Sequence, residues 1–316
     1  MKLMKTELPI ISAILSLSII MTACGGGDSS EPDPKPEPPT SAVAIRVSSR
    51  IDDSRAVGST WDAGDRIGLF MLNATAVDKY SNVAYATSKG DGSFAPTSTT
   101  IYVPEDGSGR NFIAYYPYSA SMSGSTYAVD LTDQSNQSAI DFMTADRVNG
   151  ANSSVENISA TNADVRLCFR HRLAKVTLAI ATGAGFAGDN TELAGMKVRL
   201  TGQHTAGTCD VLTSDAVTPD GAADAAIEML AAATGTSAEA IVMPADDCSG
   251  MKFVFETVDA GTYEWALDKA VETTKFEAGK EYKFAITIGK SGVSVIATIV
   301  DWEPGNGSGD AGDAVM

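Results

Sequence analysis

Histidine is nearly absent from this chain, with two in 316 residues. Four cysteines form no Cys-x-x-Cys pair and no His-rich cluster accompanies them, so a zinc site is not expected. Cationic side chains are outnumbered: 23 Lys and Arg stand against 40 Asp and Glu, a formal net charge of -17. A field of that sign repels phosphate backbones and argues against nucleic acid as a partner. No G-x-S-x-G elbow, P-loop or H-E-x-x-H motif occurs. Asp189-Asn190-Thr191-Glu192 lacks the spacing of a calcium loop. The carboxylate pairs Asp52-Asp53 and Asp246-Asp247 sit in polar, turn-like surroundings and read as solvated loop acids, not as an acid–base pair. These absences leave no reason to expect an enzyme, a cofactor or a metal.

Long apolar runs are missing too, except at the start. Lys2 and Lys5 precede an apolar stretch from Ile10 to Met21 that is too short to span a bilayer comfortably. Ala23 and Cys24 follow. A small residue before a cysteine suits lipoprotein processing, so residues 1–23 read as a signal peptide and Cys24 as the acylated first residue of the mature protein, held to a membrane by its acyl chains. Each buried CH₂ contributes about 0.8 kcal/mol, and stable anchoring takes more than one chain. Residues 24–41 are rich in glycine and then proline, which makes a flexible and then extended tether. The remaining cysteines, Cys168, Cys209 and Cys248, allow at most one disulfide and read best as small buried hydrophobes.

After the tether the hydrophobic period is two. Ala44 to Ser48, Arg66 to Phe70, Thr100 to Val103 and Asn111 to Tyr116 read as strands, the last closed by Pro117. Lys197 to Leu200, Lys252 to Phe255, Tyr263 to Leu267, Tyr282 to Ile288 and Val293 to Trp302 continue the pattern. Clusters of Gly, Asp, Asn, Ser and Pro between them indicate an all-β protein of antiparallel sandwiches. Polar residues 149–154 suggest a boundary between Asn149 and Asp164, hence sandwich domains at 42–160 and 161–303 with a flexible tail, 304–316. Val165, Leu167 and Phe169 are odd-numbered but Val176, Leu178 and Ile180 are even, so a bulge or turn is expected near Leu173 to Lys175. His171 beside it reads as structural. Between Asp220 and Thr234 the alanines predict one helix.

Trp61-Asp62-Ala63-Gly64-Asp65-Arg66-Ile67-Gly68-Leu69-Phe70 resembles the W-x-x-G-D-x-I-G-x-F signature of fimbrillin-like proteins, the Bacteroidetes surface pilins. Phe112 to Tyr118, Asp141 to Ala145, Phe169 to Val176, Gly279 to Tyr282 and Val300 to Trp302 resemble later family segments in the same order. The acidic residues after Cys24 are similar to export signals of lipoproteins moved to the cell exterior. The resemblance implies two tandem transthyretin-like sandwiches in a fimbrial subunit at the surface of the outer membrane. It further implies loss of an N-terminal strand to an arginine-specific protease, then strand exchange with other pilin subunits. Of Arg46, Arg50 and Arg55, the last lies in a polar loop before Ala56 and Gly58, so Arg55–Ala56 is the expected cut. The competing reading is a monomeric surface lipoprotein that binds glycan or a host ligand through Tyr115, Tyr116 and Tyr118.

The lipid reading is tested at Cys24. Cys24→Ala should move the protein into the soluble fraction or leave its signal uncleaved, seen by fractionation and intact mass. Membrane retention of Cys24→Ala at the native mass would overturn it.

Overall fold

Ten strands make up the first half of a computed structural model that describes residues 42–51, 61–148, 153–223, 225–259, 261–269 and 275–302. They are β1 (Arg46–Ile51), β2 (Arg66–Asn73), β3 (Ala76–Val77), β4 (Val83–Ala86), β5 (Ser93–Pro96), β6 (Arg110–Tyr116), β7 (Thr126–Asp130), β8 (Met143–Ala145), β9 (Val155–Ile158) and β10 (Asp164–His171). Nine of them form one sheet, in the order β3-β2-β4-β5-β1-β10-β8-β6-β9. Strands β2 and β6 also pair, antiparallel, from Gly68 opposite Tyr115 to Leu72 opposite Asn111. That pairing closes a ring: β2, β4, β5, β1, β10, β8, β6 and back to β2. The interior holds Val47, Ile51, Trp61, Ile67, Leu69, Phe112, Val165, Leu167 and Phe169 among others. Trp61 anchors it, with Phe94, Tyr116 and Phe169 each edge-on at 5.2 Å.

The second half adds β11 (Ala174–Thr182), β12 (Lys197–Gln203), β13 (Ala206–Asp210), β14 (Thr218–Pro219), β15 (Ala225–Glu228), β16 (Leu230–Ala231), β17 (Ser237–Val242), β18 (Lys252–Thr257), β19 (Gly261–Ala266), β20 (Lys280–Gly289) and β21 (Gly292–Asp301). A five-stranded sheet, β16-β17-β11-β20-β21, faces a four-stranded one, β15-β12-β18-β19. Between them lie Val176, Leu178, Leu200, Ile227, Phe253, Phe255, Trp265 and Phe284. A third sheet, β14-β13-β7, joins a strand of the first half to two of the second. It covers a third apolar cluster that draws on both halves, with Phe70, Ile113, Tyr115, Tyr127, Ile241, Met243 and Trp302. All described residues belong to one unit, Ser41–Met316.

The frame change is a change of sheet. Strand β10 buries Val165, Leu167 and Phe169 in the ring, the chain bends at Arg172 and Leu173, and β11 buries Val176, Leu178 and Ile180 in the second core. The stretch expected to hold a boundary, from Asn149 to Asp164, includes residues 149–152 outside the described set. Its described part feeds β9, which pairs with β6, and β10 then pairs with β1 and β8.

Two expectations are corrected. The helix between Asp220 and Thr234 is strand instead, β15 and β16. Ile227 sits opposite Leu200 of β12 and is fully buried, and the burial pattern alternates along β15. Alanine's preference for helix is a fraction of a kcal/mol per residue, and docking against an existing sheet outweighs it. The strand expected from Thr100 to Val103 is reduced to one bridge, Ala44 opposite Tyr102. Ile101 and Val103 are nonetheless buried beside the approach to β1.

Glycine at position 68 has a steric cause. A Cβ there would lie 2.1 Å from the ring of Tyr115, which occupies the space across the pair. Gly68→Ala should therefore lower stability by about 1–3 kcal/mol, as overpacking does, and a urea midpoint measures it.

Burial raises the phenol pKa of Tyr115 to about 12, and burial also raises Tyr116, which faces Asp65, and Tyr127. An unfolded tyrosine ionises near 10, so the unfolded state loses these protons first as pH rises. The stability they contribute is complete below pH 10 and falls above it, by about 1.4 kcal/mol per pH unit per group. Urea midpoints measured upward from pH 9 should decline from pH 10, and Tyr127→Phe should flatten that decline.

Candidate functional site

Strand β1 completes the ring, and the two sides of its slot are unequal. On one side all six of its residues pair with β10 in parallel, from Arg46 opposite Asp164 to Ile51 opposite Phe169. On the other it meets β5 antiparallel at two positions only, Val47 opposite Phe94 and Ser48 opposite Ser93. The Ser49 N–H adds a bond to the Gly92 carbonyl at 2.7 Å. Gly92 has φ +81°, and a Cβ on it would lie 2.3 Å from the Ser49 oxygen, so the slot is narrow there. Before the strand, Ile45 donates to the Ile101 carbonyl at 3.1 Å.

Alternation assigns the side chains. Ile45, Val47 and Ile51 enter the core, while Arg46, Ser48 and Arg50 point outward and are exposed. Ser49 falls on the inward register, its Oγ is buried, and no hydrogen-bond partner for it lies among the described residues. Arg46 pairs with Asp164 at 2.5 Å, an exposed contact that stabilises little. Of the residues singled out from sequence, Arg46 and Arg50 are thus strand residues, locked in a ladder. Cys24, Arg55 and Ala56 lie outside the described residues, and β1 ends at Ile51, ahead of Arg55.

The joint between the halves is the second feature, and the sequence hid it. The buried amide of Gln134 accepts from Ile241 N–H at 2.8 Å and donates to the Ile241 carbonyl at 3.1 Å, a side chain acting as one rung of a ladder. Nearby, Asp215 accepts from Thr144 and Arg147, both at 3.1 Å, and lies 3.6 Å from Arg172. His171 contacts Asp141 through Nδ1 at 2.8 Å and stacks on Trp302 with ring centres 4.2 Å apart. Gln134 sits in Thr132-Asp133-Gln134-Ser135, which reads as an ordinary polar turn; no pattern in the sequence marks it.

Among the described residues, the acidic pair Asp246-Asp247 singled out from the sequence is exposed and two of the thiols are buried. No group of three or more His, Cys, Asp or Glu able to hold a metal ion occurs among the described residues. Asp247 caps its own turn through Ser249, which holds its carboxyl below the usual range. Asp189 does the same through Thr191. Cys209 and Cys248 are buried free thiols, and burial pushes them up to about 11 and about 12. A shallow depression of about 550 Å³ near Gly64, Thr87 and Pro96 has no aromatic or charged lining residue. Tyr115 and Tyr116 point to opposite faces of β6, and both faces are core, so neither ring can stack on a sugar.

Known proteins resemble this chain in sequence and fold. Over 308 residues, 95% of this chain and 98% of the relative, the sequence is 36% identical to a Bacteroides uniformis protein named as fimbrium subunit Fim1C. The crystal structure of a cell adhesion protein from Bacteroides uniformis superposes with a TM-score of 0.72 at 34% identity, covering 82% of this chain and 99% of that one. One from Bacteroides ovatus shares the fold, with a TM-score of 0.63 at 23% identity over 83% and 98%. The fimbrillin-like family matches residues 54–302. The chain belongs to the fimbrillin-like family, whose members are fimbrial and adhesion proteins and not enzymes.

Proposed function

We propose that this protein is a structural or adhesive subunit of a surface fimbria, exported as a lipoprotein on Cys24, trimmed after Arg55 and assembled by β-strand exchange. The observation that carries the reading is the position of β1. It is the first strand among the described residues, it closes the ring, and Arg55 follows it in the sequence. Inside the ring every strand is paired on both sides, and only the short strands β3 and β9 branch from it with a free edge. Loss of residues 24–55 would remove β1 and leave two edges, on β5 and β10, flanking an apolar slot once filled by Ile45, Val47 and Ile51. A strand from another subunit then restores the ladder.

The division into two sandwiches is part of this proposal. It is supported by two apolar clusters that separate along the chain, one ending at Phe169 and the other starting at Ala174. The joint, with its contacts through Gln134, Asp215 and Trp302, suits a subunit that transmits force along a fibre. A relative named as a fimbrium subunit supports the same reading. The competing glycan-binding reading loses Tyr115 and Tyr116 to the core and keeps only Tyr118 partly exposed.

Surface-extracted protein should run as a ladder of large, heat-sensitive species and begin at Ala56 on N-terminal sequencing. Arg55→Ala should leave the chain uncut and collapse the ladder to monomer. A native fibre whose every copy still carries acylated Cys24 would overturn trimming at Arg55.

A further inference from the structure

The inward face of β1 carries a flaw at one position, and the flaw has a direction. Four residues, Ile45, Val47, Ser49 and Ile51, share the face that enters the ring. Three are apolar and buried in the core cluster. Ser49, opposite Leu167 of β10, puts a hydroxyl where its strand neighbours put hydrocarbon. Its Oγ is buried with no hydrogen-bond partner among the described residues. A buried hydroxyl without a partner loses the hydrogen bonds it makes to water in the unfolded or detached strand, so it favours departure. The ladder around it points the same way. Six of the pairings that hold β1 are parallel, the weaker kind per residue, and only two are antiparallel. The exposed Arg46–Asp164 pair adds little.

We propose that Ser49 makes β1 a resident strand built to be replaced: the slot at position 49 is matched to an apolar side chain, and an incoming strand that supplies one there displaces β1 downhill. This rests on the strand-exchange reading above and adds what drives the exchange and selects the occupant. The selecting chemistry is an alternating strand whose inward residue opposite Leu167 is apolar. In the uncut chain covalent attachment holds β1 in place despite the flaw. Once the chain is cut the strand is held by its contacts alone, and the mismatch at position 49 then decides its lifetime.

The test uses the mature protein cut after Arg55 by an arginine-specific protease, with a fluorescent synthetic peptide spanning residues 42–55 as the probe. Two forms of the peptide are compared, one natural and one with Ala at position 49. The Ala peptide should bind the emptied slot about tenfold more tightly, a difference of about 1.4 kcal/mol. In parallel, Ser49→Ala in the protein should raise the melting temperature of the uncut chain and slow release of its own fragment after cutting by a similar factor. Equal affinities, or tighter binding of the natural peptide, would show that the hydroxyl is satisfied in the slot and would overturn the proposal while leaving strand exchange intact. If neither peptide binds and the cut chain keeps its fragment indefinitely, strand exchange itself fails and this inference falls with it.

Discussion

The closure of the first sheet by pairing of β2 with β6 is the constraint on which the rest depends. An open sheet leaves rows of unpaired N–H and C=O groups that invite other chains. Joining β2 to β6 pairs every strand of the ring on both sides, leaves only the short branches β3 and β9 with an edge, and encloses a core around Trp61. It also means that each strand of the ring is indispensable to closure, and that loss of any one creates two edges together. Strand β1 differs from its neighbours in preceding all the other described strands in the sequence, so a cut after it leaves the rest of the ring on one continuous chain.

Closure has a cost at β2 and β6. These strands face the ring core on one side and the second half of the molecule on the other, so they carry apolar residues at consecutive positions. Leu69 and Met71 point into the ring, while Phe70 and Leu72 enter the shared cluster. Two-sided burial leaves no room for ordinary alternation, and it is why Gly68 stands across from Tyr115. The same arrangement welds the two halves. Ile241 and Met243 of the second half pack on Phe70 and Ile113 of the first, and the polar contacts of Gln134 and Asp215 fix their register. Apolar burial supplies the adhesion, and the buried hydrogen bonds decide which single geometry satisfies every polar group.

Much of this was legible before any coordinates. A period of two with turn residues between runs indicates strands, because side chains alternate across a sheet whatever it pairs with. The shift from odd to even apolar positions after Phe169 indicated a bulge or turn near Leu173, since a strand cannot bury both frames on one face, and the structure makes that turn a change of sheet. The order of motifs from Trp61 to Trp302 indicated the family, which the comparison with known proteins bears out. The alanine-rich segment around Ile227 misled, because intrinsic helix preference is a local quantity and the pairing with β12 is not.

The sequence by itself determined that the protein is built of strands, that no Cys-x-x-Cys, G-x-S-x-G, P-loop or H-E-x-x-H motif occurs in it, and which arginines precede the Trp61 motif. These are properties of composition and of spacing within a few residues. Only the tertiary structure decided that β1 lies between β5 and β10, that Tyr115 and Tyr116 are both core, and that Gln134 bridges to Ile241. The unpaired Ser49 hydroxyl belongs to the same class. The partners in each of these are tens of residues or more apart in the chain. Whether a polar group is satisfied depends on what the fold brings opposite it, and no local pattern carries that information.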